Sequence, residues 1–297
     1  MKVGVVLMLE GDAAAGPTYR EVRSLAVQAE QAGFDSIWIY DHLLFRNEES
    51  TKGQWECFTF LAALAEVTQC VELGTLVACT AFRNPAMLAK IAVTLDEVSD
   101  GRFTLGIGAG WNKTEFRAFG LPYDHRVDRF EEALQIIVPL LRAGRVDFAG
   151  HYAAARDCEM VPPGPRGGSM PLLIGASGPR MLRLAAQYAD NLNTGFDIED
   201  PEQKERRAIE AACVAVGRDP ATLPISIPFW AAFPDLGEIP PHMHDSVYRT
   251  PEELAAKLQV HDRAGLDHLM FDFRPNSAAS LARLSEALRL FRGTTAA

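Results

Sequence analysis

The stretch Val71-Glu72-Leu73-Gly74-Thr75-Leu76-Val77-Ala78-Cys79, followed by Asn84-Pro85 and then by Phe103-Thr104-Leu105-Gly106-Ile107-Gly108-Ala109, reads as strand, helix, strand. The two apolar runs have the length and β-branched content of buried strands. Between them Asn84 supplies a cap oxygen and Pro85 takes the first helical position, opening a helix to about residue 99. The same unit recurs on both sides. Upstream, residues 2–8 form a strand, Thr18-Tyr19-Arg20-Glu21 has the spacing of a capping box whose helix stops at Gly33, and a strand over 36–40 precedes a helix over about 56–69. Downstream, a helix over 126–142 follows the fourth strand. Strand five (171–175) precedes a helix from Gly178, and strand six (190–194) a helix opening at Asp200-Pro201. Strand seven (223–230) has a long loop ending in the capping box Thr250-Pro251-Glu252-Glu253, and strand eight (267–273) leads into a helix over 277–291.

Eight strands alternating with eight helices favour closure into a (β/α)₈, or TIM, barrel, because an open doubly wound sheet usually holds fewer strands. Residues 143–170, rich in Gly, Pro and Arg, break the period. They are expected to be an insertion holding a small hairpin, so that residues 1–297 make one domain.

With 48% hydrophobic and 23% charged residues, a chain of 297 residues can bury a sizeable core. No apolar run reaches the roughly 20 residues of a membrane helix. Met1-Lys2-Val3-Gly4-Val5-Val6 passes straight into a strand without the features of a signal peptide, so the expected location is cytoplasmic. A net charge of −10 with no clustered basic face argues against nucleic acid. Five scattered cysteines without a C-x-x-C, and histidines without an H-E-x-x-H, predict reduced thiols and no metal site.

A barrel of this kind places its active site at the C-terminal ends of the strands. After strand two stands Tyr40-Asp41-His42, where a histidine facing the mouth suits proton transfer, or else caps or packs a loop. After strand four, Gly106-Ile107-Gly108-Ala109-Gly110-Trp111-Asn112 offers either close approach of a flat ligand to the backbone or tight barrel packing. Its third glycine comes one residue too early for the dinucleotide fingerprint. After strand five, Gly175-Ala176-Ser177-Gly178 opens a helix, and free amides there suit a phosphate, with Arg180 or Arg183 adding charge; the alternative is an ordinary capped helix start. Cys79 reads more readily as a small buried hydrophobe than as a reactive thiol. Glu56 is either a pocket carboxylate or a helix-start acid, and Trp55, Trp111 and Trp230 either line a flat-ligand pocket or pack.

Taken together, Gly33-Phe34-Asp35-Ser36-Ile37-Trp38, Asp41-His42, Leu73-Gly74-Thr75-Leu76-Val77, Arg83-Asn84-Pro85-Ala86-Met87-Leu88-Ala89-Lys90, Gly101-Arg102-Phe103-Thr104-Leu105-Gly106-Ile107-Gly108-Ala109-Gly110-Trp111, Glu115-Phe116-Arg117-Ala118-Phe119-Gly120 and Pro171-Leu172-Leu173-Ile174-Gly175 resemble luciferase-like flavin oxidoreductases. The resemblance is strongest to the branch using the deazaflavin coenzyme F420, and it covers most of residues 1–195. It implies a hydride transfer between F420 and a small organic substrate, with His42 beside the reactive ring carbon. It also implies a strand-three bulge at Leu76-Val77 with a non-proline cis peptide. The implied cofactor-binding set is Asp41, Leu76, Val77, Cys79, Gly108, Ala109, Gly110, Trp111, Asn112, Gly175, Ala176, Ser177 and Gly178; Trp55, Glu56, Trp111 and Trp230 would line the substrate pocket. The sugar-phosphate dehydrogenases of this branch carry a glutamate acid where this chain has Trp111. That speaks against a sugar phosphate and leaves a second proton-transfer group unassigned. The alternatives are an FMN-dependent monooxygenase using reduced flavin and O₂, fed by a separate reductase, and a non-catalytic flavin-binding protein. A homodimer is expected.

Overall fold

The computed structural model describes residues 1–195, 200 and 202–295. Its elements run β1 (Lys2–Val6), β2 (Glu10–Asp12), α1 (Tyr19–Gln31), β3 (Ser36–Ile39), β4 (Leu44–Arg46), β5 (Thr51–Gln54), α2 (Cys57–Ala65), β6 (Glu72–Thr75), β7 (Ala78–Cys79), α3 (Pro85–Val98), β8 (Phe103–Gly108), α4 (Lys113–Ala118) and α5 (Arg126–Ala143). They continue with β9 (Arg145–Ala149), β10 (Ala154–Glu159), β11 (Leu172–Gly175), α6 (Pro179–Tyr188), β12 (Asn191–Asn193), α7 (Lys204–Ala215), β13 (Ile225–Ala232), α8 (Pro251–Arg263), β14 (His268–Arg274) and α9 (Ala278–Thr295).

Strands β1, β3, β6, β8, β11, β12, β13 and β14 pair in parallel in that order, and β14 pairs with β1 to close the expected barrel. Because side chains alternate along a strand, two cores form. The larger lies between barrel and helices and includes Val3, Val5, Ile37, Leu105, Ile107 and Phe271. The smaller fills the barrel with Val6, Trp38, Leu76, Leu173 and Met270. Trp38 fits there because position 74 has no side chain: a Cβ on Gly74 would lie 2.2 Å from the indole ring. Nearer the N-terminal ends of the strands, Trp38 Nε1 donates to Ser36 Oγ (2.7 Å), which in turn lies 2.8 Å from His268 Nε2. Burial pushes the His268 imidazole down to about 3, so it stays neutral.

The caps form where their sequences indicate. Thr18 with Glu21, and Thr250 with Glu253, make complete capping boxes, and Asn84 accepts from the amides of Ala86 and Met87. Two helices differ from expectation. The second stops at Ala65, where Arg102 takes over the carbonyls of Ala65, Thr68 and Val71. The helix expected at Asp200-Pro201 begins at Lys204 instead; Asp200 still accepts from the amides of Glu202 and Lys204, while Pro201 lies outside the described residues.

The insertion is an antiparallel hairpin of β9 and β10. Arg166, beyond it, pairs with the buried Asp96 of α3 and donates to the Phe103 carbonyl, fastening the insertion to the barrel wall. Two features lay outside the sequence reading: a three-stranded antiparallel sheet, in the order β2, β5, β4, built from the loops after the first and second barrel strands, and the short α4 after β8. Among the described residues no helix is long and apolar enough to cross a membrane.

Candidate active site

A cavity of about 490 Å³ opens at the C-terminal ends of the barrel strands. Its wall is drawn from strand-two residues Tyr40 and His42, the Leu76-Val77 bulge, Gly108 to Trp111, and the loop Gly175-Ala176-Ser177. The Leu76-Val77 peptide is cis. Larger hollows of about 710 and 630 Å³ lie between α6 and α7 and beside α1, but neither gathers a histidine with a carboxylate.

His42 lines this cavity and is paired with a carboxylate. Its Nδ1 lies 3.1 Å from Glu115 Oε1 and 3.3 Å from Oε2, and the Leu43 amide donates to Oε2 at 2.8 Å. Glu115 is 1% exposed. A carboxylate accepts only, so the shared proton belongs to Nδ1, and Nε2 is the ring nitrogen left for the cavity on the opposite edge of the ring. Glu115 is delivered by α4, a helix of six residues that needs help to hold. Asn112 caps it by accepting from Thr114 N and donating to the Leu44 carbonyl, while Phe116 packs edge-on against Phe82 and Tyr123. Over the imidazole, Phe45 of β4 lies 4.6 Å away between centroids and Trp111 5.5 Å away.

The opposite end of the cavity lies beside a helix start. Helix α6 opens at Gly178 with no side-chain cap, so the amides of its first turn lack a capping oxygen. Arg126, at the start of α5, is the only lysine or arginine among the described lining residues. It donates to the Gly110 carbonyl at 2.6 Å and stacks on Tyr123, with no carboxylate partner among the described residues. The two helix starts are drawn together by Arg180, which bridges to Asp128 and Glu131 of α5. Arg180 is thereby engaged, and the cation that lines the cavity is Arg126 rather than Arg180 or Arg183.

The sequence profile of the luciferase-like monooxygenase family matches residues 1–235. The chain belongs to that family. Among its relatives, the 5,10-methylenetetrahydromethanopterin reductase of Archaeoglobus fulgidus is 34% identical over 200 residues, which is 67% of this chain and 56% of that protein. The F420-dependent glucose-6-phosphate dehydrogenase of Amycolatopsis mediterranei is 33% identical over 183 residues, 60% of this chain and 52% of that protein. The chain therefore spans little more than half the length of these curated relatives. An F420-dependent secondary alcohol dehydrogenase, solved with an F420-acetone adduct, superposes with a TM-score of 0.79 at 21% identity over 98% of this chain and 99% of the other, which shows the shared fold.

In this luciferase-like chain Asp41 and Cys79 lie in the cavity wall as expected, while Trp55, Glu56, Asn112, Gly178 and Trp230 are not among its described lining residues. Both Asp41 oxygens are engaged, by Arg83 at 2.6 and 3.0 Å, the Cys79 amide and the Cys57 thiol. Glu56 is the cap of α2, accepting from Thr59 N and pairing with the same Arg83. The guanidinium fills the space among Asp41, Glu56 and Cys57, making this an ion-pair brace that fixes the backbone next to His42. Trp55 lies off the cavity, stacked on Phe60 with its indole donating to the Pro17 carbonyl. Asn112 is a cap rather than a cavity group, because a short helix takes its side chain. Trp230 falls in the inward-facing row of β13 with Ser226 and Pro228, but stands 45% exposed at the rim, edge-on to His242. Cys79 lines the wall, and burial pushes its thiol up to about 12, so it is no nucleophile at neutral pH.

The glycines after β8 and β11 also have a packing role. A Cβ on Gly106 would lie 1.9 Å from the Thr75 carbonyl oxygen, and one on Gly108 or Gly175 would lie 2.8 Å from the Val77 side chain. They let the bulge nest between neighbouring strands. The sequence reading missed Glu115 and Arg126. Glu115 had one legible signal: it lies four residues beyond Trp111, where the resemblance places the acid of the sugar-phosphate enzymes.

Proposed function

We propose that this chain is a flavin-dependent oxidoreductase that uses F420 to move a hydride to or from a small organic substrate. The observation that carries this reading is the His42 and Glu115 pair at a cavity whose other end meets the uncapped start of α6 and Arg126 of α5, which has no carboxylate partner among the described residues. When bound, the deazaflavin supplies a hydride donor or acceptor. The residues fit such a group. The α6 amides with Arg126 match a phosphate, and the Leu76-Val77 bulge under Gly108 and Gly175 offers a flat floor for a ring.

His42 Nε2 takes or returns the proton at the substrate heteroatom, Glu115 holds the ring in the required tautomer and stabilises the imidazolium that forms, and Phe45 with Trp111 keeps water from the ring. Trp111 in place of an acid favours an apolar substrate over a sugar phosphate. The second reading, an FMN-dependent monooxygenase, is favoured by the family profile itself. Deazaflavin does not readily activate O₂, so O₂ consumption with reduced FMN separates the two. The F420 reading carries a homodimer with it, and the FMN reading adds a separate reductase.

The deciding experiment is titration of the purified chain with F420 and with FMN, followed by a hydride-acceptor screen. His42→Ala should lower turnover by about 10²–10⁴-fold with cofactor affinity and melting temperature little changed. Near-normal turnover in that variant on any accepted substrate refutes the assignment.

A further inference from the structure

Tyr40 lines the cavity, and the proton-transfer scheme gives it no role. It falls in the inward-facing row of Ser36 and Trp38 and packs on the barrel's inner core, forming part of the cavity wall. Its hydroxyl donates to Asp272 Oδ2 at 2.9 Å, and Asp272, 6% exposed, is ion-paired with Arg274. Burial, then the Asp272 charge, raise the phenol above its ordinary value, so the proton stays on the oxygen. A carboxylate paired with a guanidinium has no proton to give. The O–H of Tyr40 is therefore committed to Asp272, and what the phenol oxygen keeps for any further partner is a lone pair.

We propose that Tyr40 is a specificity-determining residue, selecting ligands that offer it an O–H or N–H over those of similar shape that place an ether or keto oxygen there. An acceptor facing an acceptor leaves both unsatisfied in a site shielded from water, and discrimination of this kind is stronger than that of apolar contacts alone. The assignment rests on the cavity being the substrate site of the oxidoreductase. It adds that the substrate enters as a hydrogen-bond donor.

Phenol and anisole test it, because they differ in the donor and neither carries a carbinol hydrogen to be lost as hydride. Their dissociation constants are measured by calorimetry on the full chain loaded with F420, or with FMN if only FMN binds. Phenol should bind about tenfold more tightly than anisole, the worth of one neutral hydrogen bond. Tyr40→Phe should bring the ratio close to one by weakening phenol alone. Asp272→Asn, whose amide can donate to the tyrosine oxygen and turn its proton towards the cavity, should also narrow the ratio, and it carries the test if Tyr40→Phe does not fold. Equal affinities in the unaltered protein, a preference retained in folded Tyr40→Phe, or no binding of either probe overturns the proposal. A chain that loads FMN but not F420 and still discriminates sinks the cofactor assignment and leaves Tyr40 its role. A chain that loads F420 and does not discriminate does the reverse.

Discussion

His42 and Glu115 are 73 positions apart, and neither means much alone. A surface pair of this kind contributes little, because water and salt screen it. Here the carboxylate is buried and its remaining donor is the Leu43 amide, so the imidazole has one orientation and one tautomer. Glu115→Gln keeps the volume but removes the charge and one of two acceptor oxygens. Turnover should fall on the order of 10²-fold, with KM for the cofactor unchanged. The double variant His42→Ala with Glu115→Gln should be no slower than His42→Ala alone, since the glutamate acts through the histidine. Additive losses in a steady-state comparison would show that Glu115 acts on its own.

His268, also a residue held by burial, has a different consequence. Its folded-state value lies near 3, below the 6.5 of an unfolded chain. The unfolded state therefore takes up a proton first as pH falls, and stability is lost below about 6.5. Between pH 7 and pH 5 the loss from this group is about 2 kcal/mol. His268→Gln, which can still meet Ser36, should show a shallower fall in denaturant unfolding between those two pH values; an unchanged slope would assign the acid sensitivity to other groups.

At the scale of elements, the proposed anion end draws on two helix starts, neither of which would complete it alone. Helix α6 offers amides and the positive end of its dipole, while α5 offers Arg126 in its first turn. Arg126→Met should weaken FMN or F420 binding by roughly 10–100-fold, the range of a charge-assisted hydrogen bond, while riboflavin, which lacks the phosphate, loses little. Equal losses for FMN and riboflavin, read by fluorescence titration, would remove the phosphate from this end. Gly178 is a poorer probe: with φ of +77° it has open space around it, yet any side chain there strains the backbone as well as crowding a ligand.

Across the whole molecule, closure of β8 onto β11 leaves no free edge in the barrel, and the insertion returns to it through Arg166 and Asp96. We propose that the chain unfolds as one unit. Calorimetry should give a single transition, and Arg166→Met should lower its midpoint rather than split it, because breaking a buried pair costs about 3–5 kcal/mol. A separate early transition for residues 143–170 would make the insertion independent.

The eight strands, both capping boxes, the hairpin and the site of the bulge were all legible in the order of residues. Each is decided by neighbours within one element: a cap needs an oxygen three residues before an amide, and a strand needs a short apolar run. His42 and the strand-five loop were legible too, because barrel closure tells which strand ends share a mouth. What tertiary structure alone decided is which polar groups face one another. Asp41 and Glu56 were legible as candidates, but only the structure shows Arg83 engaging both while Asp41 stays in the cavity wall, and only the structure brings Glu115 beside His42. Partners such as these lie tens of residues apart, and the energy that pairs them depends on distance and burial, which exist only once the chain has closed.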